Sequence, residues 1–221
     1  MLIKEALPIC TNAVGQKFSK LFEEVPMDIR ENKGKTGQLM EKLCGLKLSS
    51  QTTDFEDGEL KTSQIRESIF ITMIKSWIDD LITDNPKKFE NTPLLKKINH
   101  LIFMPVNKDS KNPNDWYFKS CYYIEITENT YLYKEIQNDY YKICELMNAQ
   151  VYKKELPLDD EFYFTKNRKK TNETDGYIHT TNGKFIQIRT KDSGNVHPIY
   201  SQRLAKNVTP KSNMAFYFRY C

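Results

Sequence analysis

The sequence has 221 residues, 39% of them hydrophobic, and a formal net charge of +4. This length predicts one domain, or one domain in two lobes, with enough apolar side chains for a core. No apolar run approaches the roughly 20 residues of a membrane span, and the charged N-terminus has neither a signal-peptide core nor an arginine-rich transit pattern. We therefore expect a cytoplasmic protein with no membrane partner.

Cysteines and histidines are scattered along the chain. The five cysteines are odd in number and widely spaced, and no two of them form a CxxC pair. We therefore expect neither a disulfide framework nor a zinc ribbon. The three histidines are also isolated from one another. A metal ion would have to be held by carboxylates, which favours Mg²⁺, Mn²⁺ or Ca²⁺ over zinc.

Charge is distributed unevenly. The second half carries cations at Asn167–Lys170, which reads NRKK, and three more over Lys184–Lys191, whereas acids concentrate over Asp54–Glu59. This arrangement is typical of a polyanion held next to a metal site, and the positive net charge is compatible with nucleic acid. Solvated surface charge explains the same distribution equally well, so charge alone does not decide between the two interpretations.

The first regular elements are a helix and a short strand. In Gly37–Cys44 the apolar side chains fall on one helical face, and Glu41 lies at the edge of that face. Gly45 is a suitable residue to end this helix. A short strand is predicted over Gly58–Thr62.

The middle of the chain predicts further strands. Residues Ile69–Ile74 are rich in strand-forming side chains, and His100–Val106 is an apolar strand that Pro105 is expected to end. The aromatic segment Trp116–Ile126 predicts another strand or a hairpin. Two polar stretches, Asn107–Asp115 and Lys166–Asp175, are interpreted as long surface loops.

The second half predicts one long helix and two strands. Asn129–Met147 has apolar residues three and four positions apart, which is the period of an amphipathic helix packed on a core. In Lys184–Arg189 the side chains alternate, so Ile186 and Ile188 face one way and the polar side chains the other. A last strand is predicted over Met214–Tyr220. Mixed strands and helices indicate an α/β or α+β fold.

The most informative stretch reads DFEDGELK, from Asp54 to Lys61. In a strand, Glu59 and Lys61 are two residues apart and project from the same face, while Leu60 points to the core. Asp54 precedes the strand across a turn that contains Gly58. Three charged groups can therefore converge at one end of the strand.

This set of groups suits phosphodiester hydrolysis. Mg²⁺ held by one or two carboxylates acts as a Lewis acid and lowers the pKa of a bound water molecule. A lysine beside the metal can orient or deprotonate that water and stabilise developing charge. An ExK strand also occurs in many proteins as an exposed ion-pair strand, so the short motif alone leaves both interpretations open.

Longer segments of the chain resemble the motifs of one nuclease family in the same order. They are Asp28–Glu41 (DIRENKGKTGQLME), Asp54–Thr62 (DFEDGELKT), His100–Val106 (HLIFMPV), Asp139–Gln150 with its Glu-Leu-Met, Phe185–Lys191 (FIQIRTK) and Ala215–Arg219 (AFYFR). On these motifs the chain resembles the MutH family, which covers the mismatch-repair nicking enzyme and related type II restriction endonucleases. The resemblance covers most of the chain from Asp28 onwards, and the shared order is more specific than any single motif.

The resemblance implies a catalytic set. Its members are Glu41, Asp54, Glu59 and Lys61. Asp54 and Glu59 are then the expected ligands of Mg²⁺, for which Mn²⁺ can substitute. The spacing between them is shorter than in the repair enzyme, and the extra carboxylates of Glu56 and Asp57 could compete as ligands, so the choice of the first ligand stays open.

The resemblance also implies residues that contact DNA. These are Lys35, Arg189, Lys191 and Tyr217. Arginine's planar fork matches guanine and phosphate alike, although by spacing alone Arg189 would be interpreted as a surface ion pair of little energetic value. Tyr217 lies at the position that senses adenine methylation, and its role depends only on that position. Thr190 replaces a proline of the family pattern.

We therefore expect a mixed α/β, or α+β, restriction-endonuclease-like fold with a PD-(D/E)xK core in two lobes around a DNA cleft. Residues 1–106 would form the metal-site lobe and residues 107–221 the DNA-reading lobe. The expected activity is that of a type II restriction endonuclease on double-stranded DNA at a GATC-like site, with a possible transient homodimer on DNA.

Three alternatives stay open at this point. The first is a MutH-like mismatch-repair nicking endonuclease, which would need a MutL-like ATPase as its partner. The second is a catalytically inactive DNA-binding module, which would be expected to have lost the metal ligands. The third is a globular domain whose ExK strand is only structural.

Overall fold

The chain folds into two compact units. The computed structural model describes residues 1–32, 34–46, 53–64, 68–156, 158–191, 198–208, 210 and 213–219. Unit 1 consists of Met1–Glu67 and Leu95–Thr127, and unit 2 consists of Ser68–Leu94 and Glu128–Cys221. The predicted division between residues 106 and 107 therefore falls inside unit 1. After the first strand of unit 1, the chain enters unit 2. It then returns to unit 1, where a later strand pairs with that first strand.

The fold is mixed α/β, as the sequence predicts. The described helices are α1 (Ile3–Ala13), α2 (Phe18–Leu21), α3 (Lys35–Leu43), α4 (Ile78–Leu81), α5 (Pro93–Ile98) and α6 (Tyr131–Tyr152). The described strands are β1 (Glu59–Ser63), β2 (Ser68–Met73), β3 (His100–Asn107), β4 (Tyr117–Phe118), β5 (Tyr122–Glu125), β6 (Tyr163–Lys166), β7 (Lys169–Thr171), β8 (Thr180–Asn182), β9 (Ile186–Thr190), β10 (Ile199–Ser201), β11 (Lys206–Val208) and β12 (Met214–Arg219). Within this described part of the chain, every helix is too short or too polar to cross a membrane.

The sheet of unit 1 is built around β3. Strand β1 pairs with β3 in parallel, and both β4 and β5 pair with β3 antiparallel. The aromatic segment therefore forms two separate partners of β3 rather than a hairpin with itself. The prediction that Pro105 ends β3 is wrong, because the strand runs to Asn107. Pro105 pairs with Ser63, the last residue of β1, so its missing N–H falls where that ladder ends.

The helices of unit 1 cover an apolar core. The predicted apolar face of α3 is confirmed: Leu39 and Met40 are buried, and Cys44, which caps the helix, is buried beside them. Gly45 follows with φ of +74°, the left-handed conformation expected after a helix end. Helix α1, which the sequence interpretation did not identify, contributes Ile3 and Cys10 to the same core.

Unit 2 contains a second, larger sheet whose strand order is β2-β12-β9-β8-β6-β7. Ile186 and Ile188 of β9 are fully buried, as predicted, but Gln187 between them is buried as well, and only Arg189 and Thr190 at the end of the strand are exposed. Helix α6 packs on this sheet, and Gln150 joins them by donating a hydrogen bond to the Thr181 hydroxyl at 3.0 Å. The other face of the sheet is the one on which Arg189 lies.

The long helix and one loop differ from their predicted limits. Helix α6 begins after Thr130, whose hydroxyl accepts a hydrogen bond from the Tyr133 N–H, and it continues past the predicted end at Met147 to Tyr152. The segment Lys166–Asp175 was predicted to be a loop, but its first half forms the β6–β7 hairpin. Asn167 and Arg168 both have positive φ, at 50° and 64°, which fits the two-residue turn of a tight hairpin.

A buried carboxylate fixes the turn that leads into β9. Asp139 of α6 is 1% exposed and accepts hydrogen bonds from the N–H groups of Lys184, Phe185 and Ile186. A Cβ on Gly183 would come within 3.0 Å of the Asp139 carboxylate, so only glycine fits there. Helix α6 thereby fixes the start of strand β9, the strand that carries Arg189.

Candidate active site

The predicted site starts at Gly58, whose backbone lies directly against the first residue of β3. A Cβ on Gly58 would collide with the backbone carbonyl of His100 and with the side chain of Ile3. Glycine therefore allows β1 to begin beside β3 at the next residue, Glu59. Leu60 is 3% exposed and packs in the core, as predicted from the strand alternation.

Glu59, Lys61 and Asp54 form one charged cluster. The Lys61 ammonium lies 2.5 Å from Glu59 Oε1 and 3.6 Å from Asp54 Oδ2. All three side chains are largely buried, and Glu59 is the most enclosed of them. Ion pairs in such surroundings are screened less by water than pairs on the surface. The structure thus brings together three of the residues that the sequence predicts.

Asp54 is held in place by backbone contacts. Its Oδ2 accepts a hydrogen bond from the Leu60 N–H at 2.9 Å, and its own N–H donates to Glu59 Oε2 at 3.3 Å. The turn below it is closed by a bond from the Phe55 N–H to the Gly58 carbonyl, and the Phe55 ring is buried. The second oxygen, Oδ1, accepts no hydrogen bond from a described residue and is available to a ligand.

Glu41 of α3 is the fourth member of the predicted set. Burial raises the pKa of its carboxyl, and the negative charges of Asp54 and Glu59 raise it further, while Lys61 opposes them. Its Oε1 lies close to Gly37, where a Cβ would stand 3.7 Å from it. Within the described chain, neither of its carboxyl oxygens has a hydrogen-bond partner. Glu41 therefore adds a further carboxyl group to the cluster.

Glu56 and Asp57, the carboxylates that could compete as metal ligands, make contacts outside the charged cluster. Glu56 forms an ion pair with the amino group of Met1 at 2.5 Å, and Asp57 accepts a hydrogen bond from the Ile3 N–H at 2.8 Å. Both contacts are made to the start of α1. This geometry favours Asp54 over Glu56 and Asp57 as the partner of Glu59.

A second lysine, Lys97, was missed by the sequence interpretation. Its ammonium lies 3.1 Å from Glu59 Oε1, and its side chain is 15% exposed. Lys97 is on α5, immediately before β3. Because β1 and β3 are parallel, both strands begin at the same edge of the sheet. Helix α5 therefore brings Lys97 to the start of β1. No local sequence motif identifies Lys97 as part of the site. Its contact with Glu59 follows from the parallel pairing of β1 with β3.

The donor set fits a small divalent cation. Mg²⁺ is usually bound through one or two carboxylates, with water in the remaining positions, and Asp54 and Glu59 already share one cation, the Lys61 ammonium. Within the described residues, no three His, Cys, Asp or Glu side chains converge as a complete metal cage. A metal here would therefore be held by Asp54 and Glu59 with water, and Glu41 would lie beside it.

Three of the four residues predicted to contact DNA, Arg189, Lys191 and Tyr217, lie in unit 2. Arg189 lies over the Tyr217 ring at 5.4 Å and donates a hydrogen bond to the Ser68 hydroxyl at 2.8 Å. The Lys191 ammonium lies 4.6 Å from the centre of the Phe70 ring, and the Phe70 and Tyr217 rings are 5.9 Å apart. Arg189, Lys191 and Tyr217 therefore form one patch with two residues that the sequence interpretation missed.

The same face of the sheet continues to its far edge. Across the sheet, Tyr217 is in register with Gln187, Gln187 with Asn182, and Asn182 with Tyr163. Gln187 and Asn182, between the two ends of this row, are buried. The exposed Lys170 of β7 lies over the Tyr163 ring at 4.2 Å. We call the set of Phe70, Tyr163, Lys170, Arg189, Lys191 and Tyr217 the aromatic-basic face.

Lys35, the fourth residue predicted to contact DNA, makes its contacts within unit 1. It is at the start of α3 and forms an ion pair with Asp28. The hydrogen bond from Lys35 is the main reason that the pKa of the Asp28 carboxyl is lowered. Part of the Lys35 charge is therefore neutralised within unit 1.

The chain matches no protein-family model, and no curated protein matches it significantly.

We expect Glu41→Gln to stabilise the metal-free protein at neutral pH. The folded-state pKa of Glu41 is raised, so its stabilising contribution is complete at acid pH and is lost as the pH rises through that pKa. Glutamine cannot ionise and avoids this loss. Melting temperatures between pH 4 and pH 8 should show the variant above wild type at neutral pH, with the difference vanishing at acid pH.

Added Mg²⁺ provides the control for this comparison. It should raise the melting temperature of wild type more than that of Glu41→Gln, because the ion stabilises the ionised cluster. A variant that melts below wild type at neutral pH would show that burial and the charges of Asp54 and Glu59 do not disfavour the ionised Glu41 carboxylate.

Proposed function

We propose that this protein is a Mg²⁺-dependent DNA endonuclease with a PD-(D/E)xK core. We further propose that it acts as a type II restriction endonuclease at a GATC-like site, a detail that depends on the resemblance to the MutH family. The observation that carries the proposal is the buried cluster in which Lys61 contacts both Asp54 and Glu59, with the carboxyl of Glu41 beside them.

The cluster has the parts that hydrolysis of a phosphodiester needs. Bound at Asp54 and Glu59, Mg²⁺ would supply Lewis acidity and a water molecule of lowered pKa. Lys61 can orient an attacking water molecule and stabilise the charge that develops on the phosphate. Lys97 orients the Glu59 carboxylate through its ion pair. Glu41, whose carboxyl oxygens accept no hydrogen bond from a described residue, can hold a water molecule.

The aromatic-basic face supports a nucleic-acid substrate. Arginine reads guanine through two parallel hydrogen bonds, and lysines neutralise phosphates without regard to sequence. Arg189 is fixed by Ser68 and Tyr217 rather than by a carboxylate, so its charge is not neutralised by either. The cations over Phe70 and Tyr163 would extend the contact along the duplex backbone.

Mapping the ends of cleaved DNA tests the proposal. Unmethylated genomic DNA is incubated with the protein and Mg²⁺, and the ends are sequenced. Ends at one short palindrome are expected. Ends scattered over all sequences would contradict the restriction assignment, and intact DNA with a normal gel shift would favour the inactive DNA-binding module.

We expect Arg189 to determine specificity. A bidentate contact between arginine and guanine contributes about 1–3 kcal/mol of discrimination against the wrong base. Arg189→Ala should therefore lose about 5- to 150-fold in affinity for the cognate duplex and much less for a scrambled duplex at the same salt concentration. Equilibrium titrations with both duplexes measure this difference.

Lys170→Ala is the matched control. Lys170 belongs to the same aromatic-basic face, but it lies at the far edge of the sheet, where it contacts the Tyr163 ring. It should weaken binding to both duplexes equally and reduce the salt dependence of binding. If Arg189→Ala behaved in the same way as Lys170→Ala, Arg189 would be a phosphate contact and not a base reader.

We expect a supercoiled plasmid with one site to pass through an open-circle form before it becomes linear. The chain carries one set of Glu41, Asp54, Glu59 and Lys61, and one such set hydrolyses one phosphodiester per encounter. A break in both strands then needs two protomers on a symmetric site or two successive nicks. Gel analysis over time should show more open circle at lower enzyme concentration.

The final product distinguishes the two nuclease assignments. Linear DNA that forms without any added ATPase agrees with a restriction endonuclease. A reaction that stops at open circle, and proceeds only with a mismatch-repair ATPase and a mismatch, would overturn that assignment in favour of the repair nickase.

A further inference from the structure

The β6–β7 hairpin ends in a cluster of cations at the edge of the sheet of unit 2. The segment Lys166–Lys170 reads KNRKK, and we call it the hairpin tip. All of its residues except Lys166 are exposed. Lys166 lies 4.0 Å from the carboxylate of Asp175, whereas neither Arg168 nor Lys169 forms an ion pair with a described residue. The hairpin tip therefore carries positive charge that the described protein leaves largely uncompensated.

The backbone of the turn does not suit its second residue. Asn167 and Arg168 both have positive φ, at 50° and 64°. Asparagine tolerates this left-handed conformation, but glycine is strongly preferred at the second position of such a turn. A residue with a Cβ is disfavoured there. The conformation of the turn therefore does not explain why residue 168 is an arginine.

Two lysines face each other where the hairpin closes. Lys166 and Lys169 are in register on β6 and β7, and like charges directly opposite each other destabilise a sheet. Asp175 offsets part of this repulsion, at Lys166 alone. Places where a sequence breaks the local rules of stability are expected to be functional sites. A bound polyanion would relieve the repulsion and would neutralise the charge of Arg168.

The hairpin is anchored in the sheet and ends at the same edge as β9. Phe164 of β6 is fully buried, and the Thr165 hydroxyl accepts a hydrogen bond from the Asn182 amide at 3.4 Å. Strands β6 and β9 each pair antiparallel with β8, so β6 and β9 run in the same direction. Both strands therefore end at the edge where β9 carries Arg189. Two strand spacings, about 10 Å in total, separate β6 from β9.

We propose that the hairpin tip binds phosphates of duplex DNA that lie outside the sequence contacted by Arg189, an assignment that rests on the proposed function. Arginine and lysine bind phosphates without regard to base sequence. Successive phosphates of one strand are about 3.4 Å apart along the duplex axis, so an offset of about 10 Å corresponds to about three base pairs. Lys170, which lies over the Tyr163 ring, continues the row of cations from the hairpin tip to the aromatic-basic face.

Binding titrations in EDTA test the proposal without cleavage. The double variant Arg168→Gly, Lys169→Gln removes two cations, and because glycine suits the turn, it should melt no lower than wild type. One duplex extends two helical turns on each side of the mapped site, and a second duplex ends at the site. On the long duplex the double variant should lose at least about tenfold in affinity at about 0.1 M salt, and its log–log salt slope should be smaller by about 2. Each single variant should reduce the slope by about 1. On the short duplex all of these differences should be much smaller.

A control variant makes the same change in charge on α6. Lys153→Gly removes a lysine that also has positive φ, at 56°, and Lys134→Gln removes an exposed lysine. Helix α6 packs on the sheet face opposite to Arg189, so this double variant should bind both duplexes as wild type does. If it lost as much affinity as the hairpin variant, net charge rather than a contact of the hairpin tip would explain the loss, and the proposal would be overturned.

Interference by phosphate ethylation locates the contact on the DNA. Ethyl groups on phosphates about three base pairs outside the mapped site should weaken binding of wild type but not of the hairpin variant. Unchanged affinity of the hairpin variant for the long duplex would overturn the proposal and leave the nuclease function standing. A wild type that binds through the hairpin tip but does not cleave in Mg²⁺ would support the contact and count against the nuclease function. Failure of wild type to bind either duplex would overturn both.

Discussion

Replacing Lys61 by alanine is expected to lower the rate of DNA cleavage by about 10²–10⁴-fold and to leave the affinity for the duplex nearly unchanged. The Lys61 ammonium contacts Glu59 and Asp54 inside the cluster, where it can act on charge that develops in the transition state. Single-turnover cleavage and equilibrium binding should be measured on the same protein preparation.

The same substitution also removes a cation from a buried carboxylate. Lys97 still contacts Glu59, so part of the charge remains compensated, but a loss of stability is expected. Lys61→Gln keeps most of the side-chain volume and should be equally inactive. Lys119→Ala, which changes an exposed lysine of the same unit, should behave as wild type. A Lys61 variant that cleaves at the wild-type rate would refute the assignment of the site.

Asp54→Ala should remove Mg²⁺ binding and cleavage together. Asp54 is one of the two carboxylates available to the ion, and loss of a second-sphere partner alone typically costs about 10–100-fold in metal affinity. A ligand should therefore cost at least that much. Calorimetric titration of Mg²⁺ in the presence of uncut DNA measures the affinity, and single-turnover cleavage measures the activity.

Two further variants separate the metal role of Asp54 from its structural role. Asp54→Asn can still accept the hydrogen bond from the Leu60 N–H but has lost the charge, so it should fold normally and remain inactive. Glu56→Ala disrupts only the pair with the Met1 amino group and should retain most of the activity. A Glu56 variant as inactive as Asp54→Ala would mean that Glu56 is the ligand.

The local pattern of the sequence predicts the elements that carry the site. The spacing of Glu59, Leu60 and Lys61 predicts a core residue between two charged side chains on a common face. The structure confirms that Leu60 is buried and that Lys61 contacts Glu59, but Glu59 is as buried as Leu60. The apolar face of α3 likewise predicts Glu41 at the edge of the core. These predictions succeed because strand and helix periods are set within a few residues.

Contacts between distant segments could not be predicted in this way. Lys97 reaches Glu59 only because β3 pairs in parallel with β1, and the sequence does not state which strands pair. Phe70 joins Arg189 and Tyr217 only because β2 lies beside β12. Cys10 and Cys44 are far apart in sequence, yet their sulfur atoms lie 3.8 Å apart in the core of unit 1.

Two errors have a similar origin in long-range structure. Pro105 was expected to end β3, but the ladder with β1 already ends there, so the missing N–H is tolerated. The polar segment after Tyr163 was predicted to be a loop, because its cations and asparagine resemble a surface turn. Pairing of β6 with the buried β8 extends the sheet far enough to order the hairpin.

The most direct test of the proposed metal-dependent nuclease is cleavage of a supercoiled plasmid that carries the mapped site. Wild type and Asp54→Asn are each incubated with Mg²⁺, with Mn²⁺ or with EDTA, after circular dichroism has shown that both proteins are folded. We expect wild type to convert the plasmid to open-circle and linear forms with Mg²⁺ or Mn²⁺ but not with EDTA, and Asp54→Asn to leave it supercoiled throughout. Undiminished cleavage in EDTA or by Asp54→Asn, or an intact plasmid with folded wild type in Mg²⁺ and Mn²⁺, would contradict the assignment.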